Sequence, residues 1–216
     1  MFNPRRQKSL SVCLQYYASP CGELILASMG SALCLCDWHD RPCAEHHLRR
    51  IINQVHADFR VATSAVLELT KRQLDDYFAG RRAAFSIPLH PVGTDFQQRV
   101  WSALRSIPYG ETRSYKHIAQ SIGCQQGVRA VAQAMGANGL CILIPCHRVV
   151  GSNGSLTGFT GGLDKKAYLL QMEQCSGATQ SGIYYCPLNP KTTPLTFRET
   201  EVWLSAYHGQ APFVKK

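Results

Sequence analysis

The apolar pattern of this chain changes character once, between Pro88 and Pro91, so a single fold must join two kinds of structure. Before the prolines, Leu10 to Tyr17, Leu24 to Met29 and Leu33 to Trp38 alternate as short strands do, separated by Ser19-Pro20-Cys21-Gly22 and by Gly30. That alternation predicts a meander or small sheet. Ala44, Leu48, Ile51, Ile52 and Val55 share one helical face, and Asp58 to Ala62 reads as a returning strand. A second helix runs from about Ser64 to Ala79, with Leu67, Leu74 and Phe78 on one side and Gly80 as its stop signal. Residues 1–90 therefore predict a small N-terminal α/β domain.

Beyond the prolines the spacing is helical. Thr94-Asp95-Phe96-Gln97 is a capping box ahead of the apolar set Phe96, Val100, Trp101 and Leu104, and Pro108-Tyr109-Gly110 ends that helix. Ser114 is placed to cap a short helix carrying Ile118, Ala119 and Ile122. Gly123 breaks it, and a further helix covers Gly127 to Met135. Helix, glycine turn, helix is the spacing of a helix-turn-helix, although plain packing of two short helices gives the same pattern. The second helix of the pair is nearly all small residues with one Arg, Arg129, so its backbone can approach another surface closely.

Composition narrows the class. With 216 residues, 45% of them hydrophobic and 17% charged, the chain holds enough apolar material for a good core, and disorder as its main state is excluded. No stretch approaches the roughly 20 apolar residues of a membrane span, and the basic start Met1 to Lys8 leads into no signal-peptide core. A cytoplasmic protein without membrane contact is the expectation. Ten cysteines lack the regular spacing of a disulfide framework and read as reduced thiols. The formal net charge of +9 favours an anionic partner such as nucleic acid, and residues 91–175 are positive chiefly because acids are scarce there.

Asn138-Gly139 is a turn signal, and Cys141-Ile142-Leu143-Ile144 reads as a buried strand ended by Pro145, which leaves Cys146 and His147 at the break. A cysteine becomes a good nucleophile near neutral pH when an imidazole takes its proton and a carboxylate orients the imidazole. Adjacent strand residues point to opposite faces, so contact between this thiol and imidazole requires a local turn or a bridging water. Taken alone, the pair also fits an unreactive buried cysteine.

The run Ile144-Pro145-Cys146-His147-Arg148-Val149-Val150 resembles the active-site signature of the methylated-DNA–protein-cysteine methyltransferases, the O6-alkylguanine-DNA alkyltransferases. Gly93-Thr94-Asp95-Phe96-Gln97, Val100-Trp101, Ile107-Pro108-Tyr109-Gly110-Glu111-Thr112, Ser114-Tyr115, Arg129-Ala130-Val131 and Gly158-Phe159-Thr160-Gly161-Gly162-Leu163 resemble that family too, in its order. The similarity is continuous from about Asp75 to Glu173 and faint through the N-terminal sheet. It implies an α/β fold: a small ribonuclease-H-like domain at 1–90, then a mostly helical alkyltransferase domain with a helix-turn-helix at 91–175. It also implies single-turnover DNA repair by a monomer, without cofactor or metal, on double-stranded DNA containing O6-alkylguanine, with O4-alkylthymine as a second substrate. The family binds the minor groove and turns the damaged nucleotide out into a pocket beside the cysteine. A helix lined with Gly127, Ala130 and Ala134 suits a groove only about 6 Å wide.

The resemblance also implies roles. Cys146 matches the nucleophile, His147 its base through a water, and Glu173 the carboxylate that orients the histidine; on sequence alone Glu173 is also a helix-end surface acid. Asn138 matches the hinge residue whose amide steadies the turn, and Arg129 the arginine that enters the base stack where the nucleotide left. Tyr115 matches the tyrosine that meets the flipped guanine and helps protonate its ring. Met135, Val149, Phe159 and Thr160 match the pocket wall.

The chain departs from the family where Asn138-Gly139 replaces the usual Asn-Pro, which removes a fixed φ from the turn before the thiol. Met29 and Cys34 stand where some relatives hold a zinc Cys and His; the set Cys34, Cys36, His39 and Cys43 is spaced too compactly for a usual metal-binding CxxC pair, and alternating Cys34 and Cys36 suit one face of a strand. Two rivals remain at this level: a non-catalytic alkyl-lesion-binding protein of the same fold, and a thiol hydrolase built from Cys146 and His147. Residues 176–216 extend past the family's usual end. There Thr196-Phe197-Arg198-Glu199 is another capping box, and Val202, Trp203, Ala206 and Tyr207 predict a short amphipathic helix closed by Gly209.

Overall fold

The computed structural model describes residues 11–55 and 58–175, so the expected helix of the C-terminal extension lies outside the described residues. The alternating segments form three antiparallel neighbours, β1 (Ser11–Ser19), β2 (Gly22–Met29) and β3 (Ala32–Trp38), and β4 (Asp58–Val61) lies parallel to β1. The strand order is β3-β2-β1-β4. A crossover helix, α1 (Pro42–Val55), leads from β3 to β4 and packs on β3, while α2 (Ala65–Phe78) packs on β1 to β3. Ser64 starts α2 by accepting a hydrogen bond from the Leu67 amide. The buried set Leu24, Leu26, Leu67 and Leu74 shows why: one face of the sheet and one stripe of the helix leave water together.

The second half follows the predicted caps. The capping box at Thr94 and Gln97 is formed in both directions and opens α3 (Asp95–Arg105), which buries Val100, Trp101 and Leu104. Ser114 accepts from the His117 amide at 3.1 Å and opens α4 (Tyr115–Ser121). After the turn at Gly123 comes α5 (Val128–Gly136), which packs against both α3 and α4. Two residues of β5 (Arg113–Ser114) pair with two of β6 (Val149–Val150), and α6 (Leu163–Cys175) follows. Among the described residues, no helix is long and apolar enough to cross a membrane.

One correction concerns the run before the thiol. Residues 141–144 are buried as expected but form no strand: the Leu143 amide donates to Cys141 O, the Ile144 amide to Leu140 O, and Ile142 is held at φ 71°. A left-handed β-branched residue is strained by about 1–3 kcal/mol, a cost sustained only because packing fixes it on every side. A continuous apolar run has no period to distinguish a strand from a buried turn.

The outer edge of β3 joins the two halves. Leu33 donates to Pro88 O and accepts from the His90 amide, both at 2.8 Å. Further along, Cys36 donates to Gly139 O and accepts from the Cys141 amide, also at 2.8 Å. The sheet's exposed edge thus lends its free backbone groups to the segment that leads into the thiol. Gly139 lies tightly there: a Cβ would stand 3.3 Å from both His47 Cβ and Leu35 Cδ1.

Candidate active site

Cys146 opens a three-residue 3-10 turn, Cys146–Arg148, and all three side chains are buried. A turn at this point resolves the strand-face problem, because thiol and imidazole need not alternate across a sheet. Asn138, at the end of α5, ties the turn together. Its Nδ2 donates to Ile144 O at 3.0 Å and to Cys146 Sγ at 3.2 Å, and its Oδ1 accepts from the Leu140 amide at 2.9 Å. The pKa of Cys146 lies below its ordinary value, with the Cys141 thiol as the largest cause; burial opposes this, and the Asn138 amide adds to it.

Behind the thiol lies a buried electrostatic centre. Glu173, on α6, is 1% exposed, not the surface acid that its place near a helix end suggested. Its Oε1 accepts from Tyr77 Oη at 2.7 Å, Arg148 Nη2 at 2.9 Å and His147 Nε2 at 2.9 Å; its Oε2 accepts from Arg148 Nε at 2.8 Å and the Gly110 amide at 3.1 Å. Burial alone raises this carboxyl, yet the bonds from His147, Arg148 and Tyr77 outweigh it and hold it far below the ordinary range. An ionised partner at Nε2 assigns the proton to that nitrogen, leaving His147 Nδ1 as an acceptor. Nδ1 is buried and has no hydrogen-bond partner within the protein. Burial, opposed by Glu173, pushes the His147 pKa down, so the imidazole is neutral near pH 7.

Cys146 opens onto a cavity of about 270 Å³ lined by Tyr115, Ala132, Met135, Gly136, Gly158, Phe159 and Thr160. Tyr115 Oη is within 3.1 Å of Thr157 O and 3.0 Å of Gly158 O, to which it donates, and burial raises its pKa. Gly158 sits at φ 49°, and a Cβ there would lie 2.9 Å from that hydroxyl, so both backbone and space call for glycine. Lys166, 0% exposed, donates to Val149 O and Thr157 O at 2.6 Å each and is lowered to about 8 by burial, with Cys146 acting to raise it. It anchors the pocket loop to β6.

The structure brings together Cys146, His147, Glu173, Asn138 and Tyr115, and sets Met135, Phe159 and Thr160 on the cavity wall. Two assignments need correction. Val149 is fully buried and does not line the cavity, because its place in β6 turns it into the core. Ala134 is 3% exposed and shares a buried stripe with Val131 and Met135, its carbonyl accepting from Trp101 Nε1 at 2.9 Å, so it cannot face a groove. Arg129 and Ala130 are exposed on the other side of α5, with Gly127 half-buried at its start. Sequence reasoning missed Ala132, Gly136 and Gly158 on the wall, and Arg148, Tyr77 and Lys166 behind it. Arg148 and Lys166 carried a signal: charged residues inside or beside apolar, glycine-rich motifs need a partner when buried.

Among the described residues, no three His, Cys, Asp or Glu side chains converge as metal ligands. The Cys34 thiol donates to Ala27 O at 3.4 Å and that of Cys43 to Thr160 O at 4.0 Å. All eight cysteines whose side chains are described are free thiols.

Comparison with known proteins agrees with this geometry. Residues 12–91 match the family model "6-O-methylguanine DNA methyltransferase, ribonuclease-like domain" and residues 95–175 match "6-O-methylguanine DNA methyltransferase, DNA binding domain". A methylated-DNA–protein-cysteine methyltransferase of Mycobacterium leprae is 43% identical over 160 residues, covering 72% of this chain and 88% of that protein. One of Methanosarcina barkeri is 55% identical over 103 residues, 48% of this chain, and the match spans 65% of that relative's length. The crystal structure of Mycobacterium tuberculosis OGT in complex with DNA is similar with a TM-score of 0.65 and 39% identity, covering 77% of this chain and 94% of that one. By the matched domains and by the relative it covers almost throughout, the chain belongs to the 6-O-methylguanine DNA methyltransferase family.

Proposed function

We propose that the protein repairs DNA by moving the alkyl group of O6-alkylguanine, and of O4-alkylthymine, onto its own Cys146. The observation that carries this is one arrangement in one turn: a pocket-facing thiol held by Asn138, followed in the chain by a neutral His147 oriented by ionised Glu173. His147 Nδ1, through one water, takes the thiol proton. The thiolate then attacks the alkyl carbon as the carbon–oxygen bond breaks, and the electron pair goes to the guanine O6. Tyr115, whose phenol keeps its proton at neutral pH, supplies that proton to the departing ring after leaving its loop carbonyls. The product is a thioether that no group in the pocket can cleave, so each molecule reacts once and the transferase is consumed.

The DNA surface in this reading is the helix-turn-helix of α4 and α5. Arg129 and Ala130 stand outward on α5, small enough around the one cation for the helix to enter a minor groove while Arg129 fills the gap in the stack. The partner is double-stranded DNA, the protein acts as a cytoplasmic monomer, and the division into units at about residue 91 separates the sheet from this DNA-reading half. A non-catalytic lesion binder has no use for an activated thiol, and a hydrolase turns over repeatedly. Incubation with duplex DNA containing O6-methylguanine, followed by mass analysis of the peptide carrying Cys146, tests the reading. One methyl on that peptide, stopping at one equivalent, is the expected result; an unmodified peptide, or repeated turnover on small acyl substrates, rejects it.

A further inference from the structure

The last turn of α5 serves the site twice. Met135 and Gly136 line the cavity, and Asn138, two residues on, holds the nucleophile through the bond from its Nδ2 to Cys146 Sγ at 3.2 Å. A helix end leaves carbonyls without partners inside the helix. Two of them are satisfied from other elements here. Ala134 O accepts from Trp101 Nε1 of α3 at 2.9 Å, and Ala137 O, in the peptide that leads into Asn138, accepts from Arg50 Nη2 of α1 at 2.8 Å. The Arg50 guanidinium carbon also lies 5.8 Å from the centre of the Trp101 ring, so the two donors support each other. A planar guanidinium donates along its edge while its face rests on a ring, and its charge is favourable at the negative end of α5. Burial works against that charge, with Asp37 pulling the other way, and Nε is buried without a hydrogen-bond partner. A half-buried cation is thus kept for one carbonyl. Three residues earlier on the same helix, His47 Cβ stands 3.3 Å from where a Cβ on Gly139 would lie, so one face of α1 covers residues 137–139.

We propose that Arg50 is a positioning residue for the Cys146 nucleophile: by fixing the carbonyl of Ala137 it fixes where the Asn138 side chain meets the Cys146 sulfur. Asn138 has no slack with which to absorb a shift of its own backbone. Its Nδ2 spans Ile144 O and Cys146 Sγ, and its Oδ1 holds the Leu140 amide, so a tilt of the peptide before it is passed to all three contacts. Without Arg50, Ala137 O turns to water and that peptide is free to tilt. The bond to sulfur then weakens, and with it the stabilisation of a thiolate. Arg50 belongs to the sheet-bearing half, whereas the peptide, the amide and the thiol that it positions all belong to the other. Its role is indirect, since its contacts are with Ala137 O and the Trp101 ring and not with the thiol.

The inference rests on the proposed function only in taking Cys146 as the nucleophile, and its test reads the thiol without any DNA. The rate of iodoacetamide alkylation at Cys146 is followed by peptide mass against pH for the full chain and for Arg50→Met and Arg50→Lys, with a thermal melt of each. The other groups that act on the sulfur, Cys141, Asp37, Lys166 and Tyr115, stay as they are in every variant. Met keeps an apolar stem over Trp101 and loses the donor. Its inflection should move to higher pH, and alkylation at pH 7 should slow about tenfold, nearly the worth of a hydrogen bond to a charged sulfur. Lys keeps a donor and a charge for the same carbonyl and should recover most of that loss. A Met variant that melts lower yet keeps the wild-type profile makes Arg50 a structural brace and overturns the proposal, as do equal losses for Met and Lys. Should the Met variant fail to fold, Arg50→Gln decides: its amide ends short of the carbonyl but keeps the half-buried site polar, so the same shift is expected, and an unmoved inflection overturns the proposal. A shifted Met profile in a protein whose wild-type chain takes no methyl group from duplex O6-methylguanine upholds the inference and rejects the transfer reading alone.

Discussion

Glu173→Gln is the substitution on which the stated electrostatics stand or fall. The native carboxylate accepts five hydrogen bonds, two of them from Arg148, a guanidinium that is itself only 6% exposed. Gln has nearly the same shape but turns one acceptor into an N–H that faces other N–H groups, and it leaves the Arg148 charge buried without its counter-ion. Breaking a buried pair from one side costs about 3–5 kcal/mol, because the partner's desolvation is no longer offset. For a chain of this size each kcal/mol moves the melting temperature about 2–4 °C, so a fall near 10 °C is expected in a thermal melt at pH 7. Transfer to Cys146, measured below that melt, should slow about 10²- to 10⁴-fold, since His147 loses the partner that fixes its tautomer.

The pH dependence gives a second readout with a defined sign. The folded Glu173 carboxyl is held below its unfolded value of about 4.3, so its stabilisation is present above that pH and is lost as pH falls toward the folded value. His147 is depressed too, which places its contribution above about pH 6.5 and its loss below. Both slopes make acid destabilising, and the Gln variant should lose the lower one. A variant that melts within about 2 °C of wild type, with its acid slope intact, refutes the account of Glu173 as a buried charged hub.

Arg129→Ala should weaken repair of duplex DNA far more than reaction with free O6-benzylguanine, since only the duplex needs its extruded base replaced; equal losses in the two rate assays would point instead to a damaged fold. Tyr115→Phe should slow alkyl transfer while leaving DNA affinity in a titration nearly unchanged, because the hydroxyl acts on the leaving group and on two loop carbonyls. Gly139→Ala should destabilise by about 1–3 kcal/mol in urea unfolding, as its Cβ meets His47 and Leu35 at 3.3 Å within a packed junction; a neutral or stabilising effect would show that the junction yields.

Most of the fold was legible because its punctuation is local. Ser64, Thr94 and Ser114 each cap the helix that the sequence assigned to them, and Gly22, Gly30, Gly80 and Gly123 take the positive φ that ends strands and helices. Residues 141–144 were not legible, because an unbroken apolar run carries burial without conformation. The conformation comes from outside the run, from Cys36 on β3 and from the Asn138 side chain. Ala134 failed for a related reason: a small residue suits both a close approach to DNA and a tight core, and only the stripe made by Val131 and Met135 decides between them.

The site was legible in proportion to how near its parts lie along the chain. Cys146 and His147 announce themselves as neighbours, whereas the bond from His147 to Glu173 spans 26 residues and that from Tyr77 to Glu173 spans 96. No local period encodes such a pair. Only the resemblance to a family pointed to Glu173, and nothing in the sequence pointed to Tyr77. Yet Tyr77 explains why the N-terminal half must be present. From α2 it donates to the Glu173 carboxylate, while β3 donates and accepts at the segment that leads to Cys146. Both ends of the Cys146–His147–Glu173 line are thus fixed from the sheet-bearing half, though all three residues belong to the other. A fragment beginning at Pro91 keeps every residue in direct line with the pocket and loses both supports, and so should keep the motif while losing the geometry that activates the thiol.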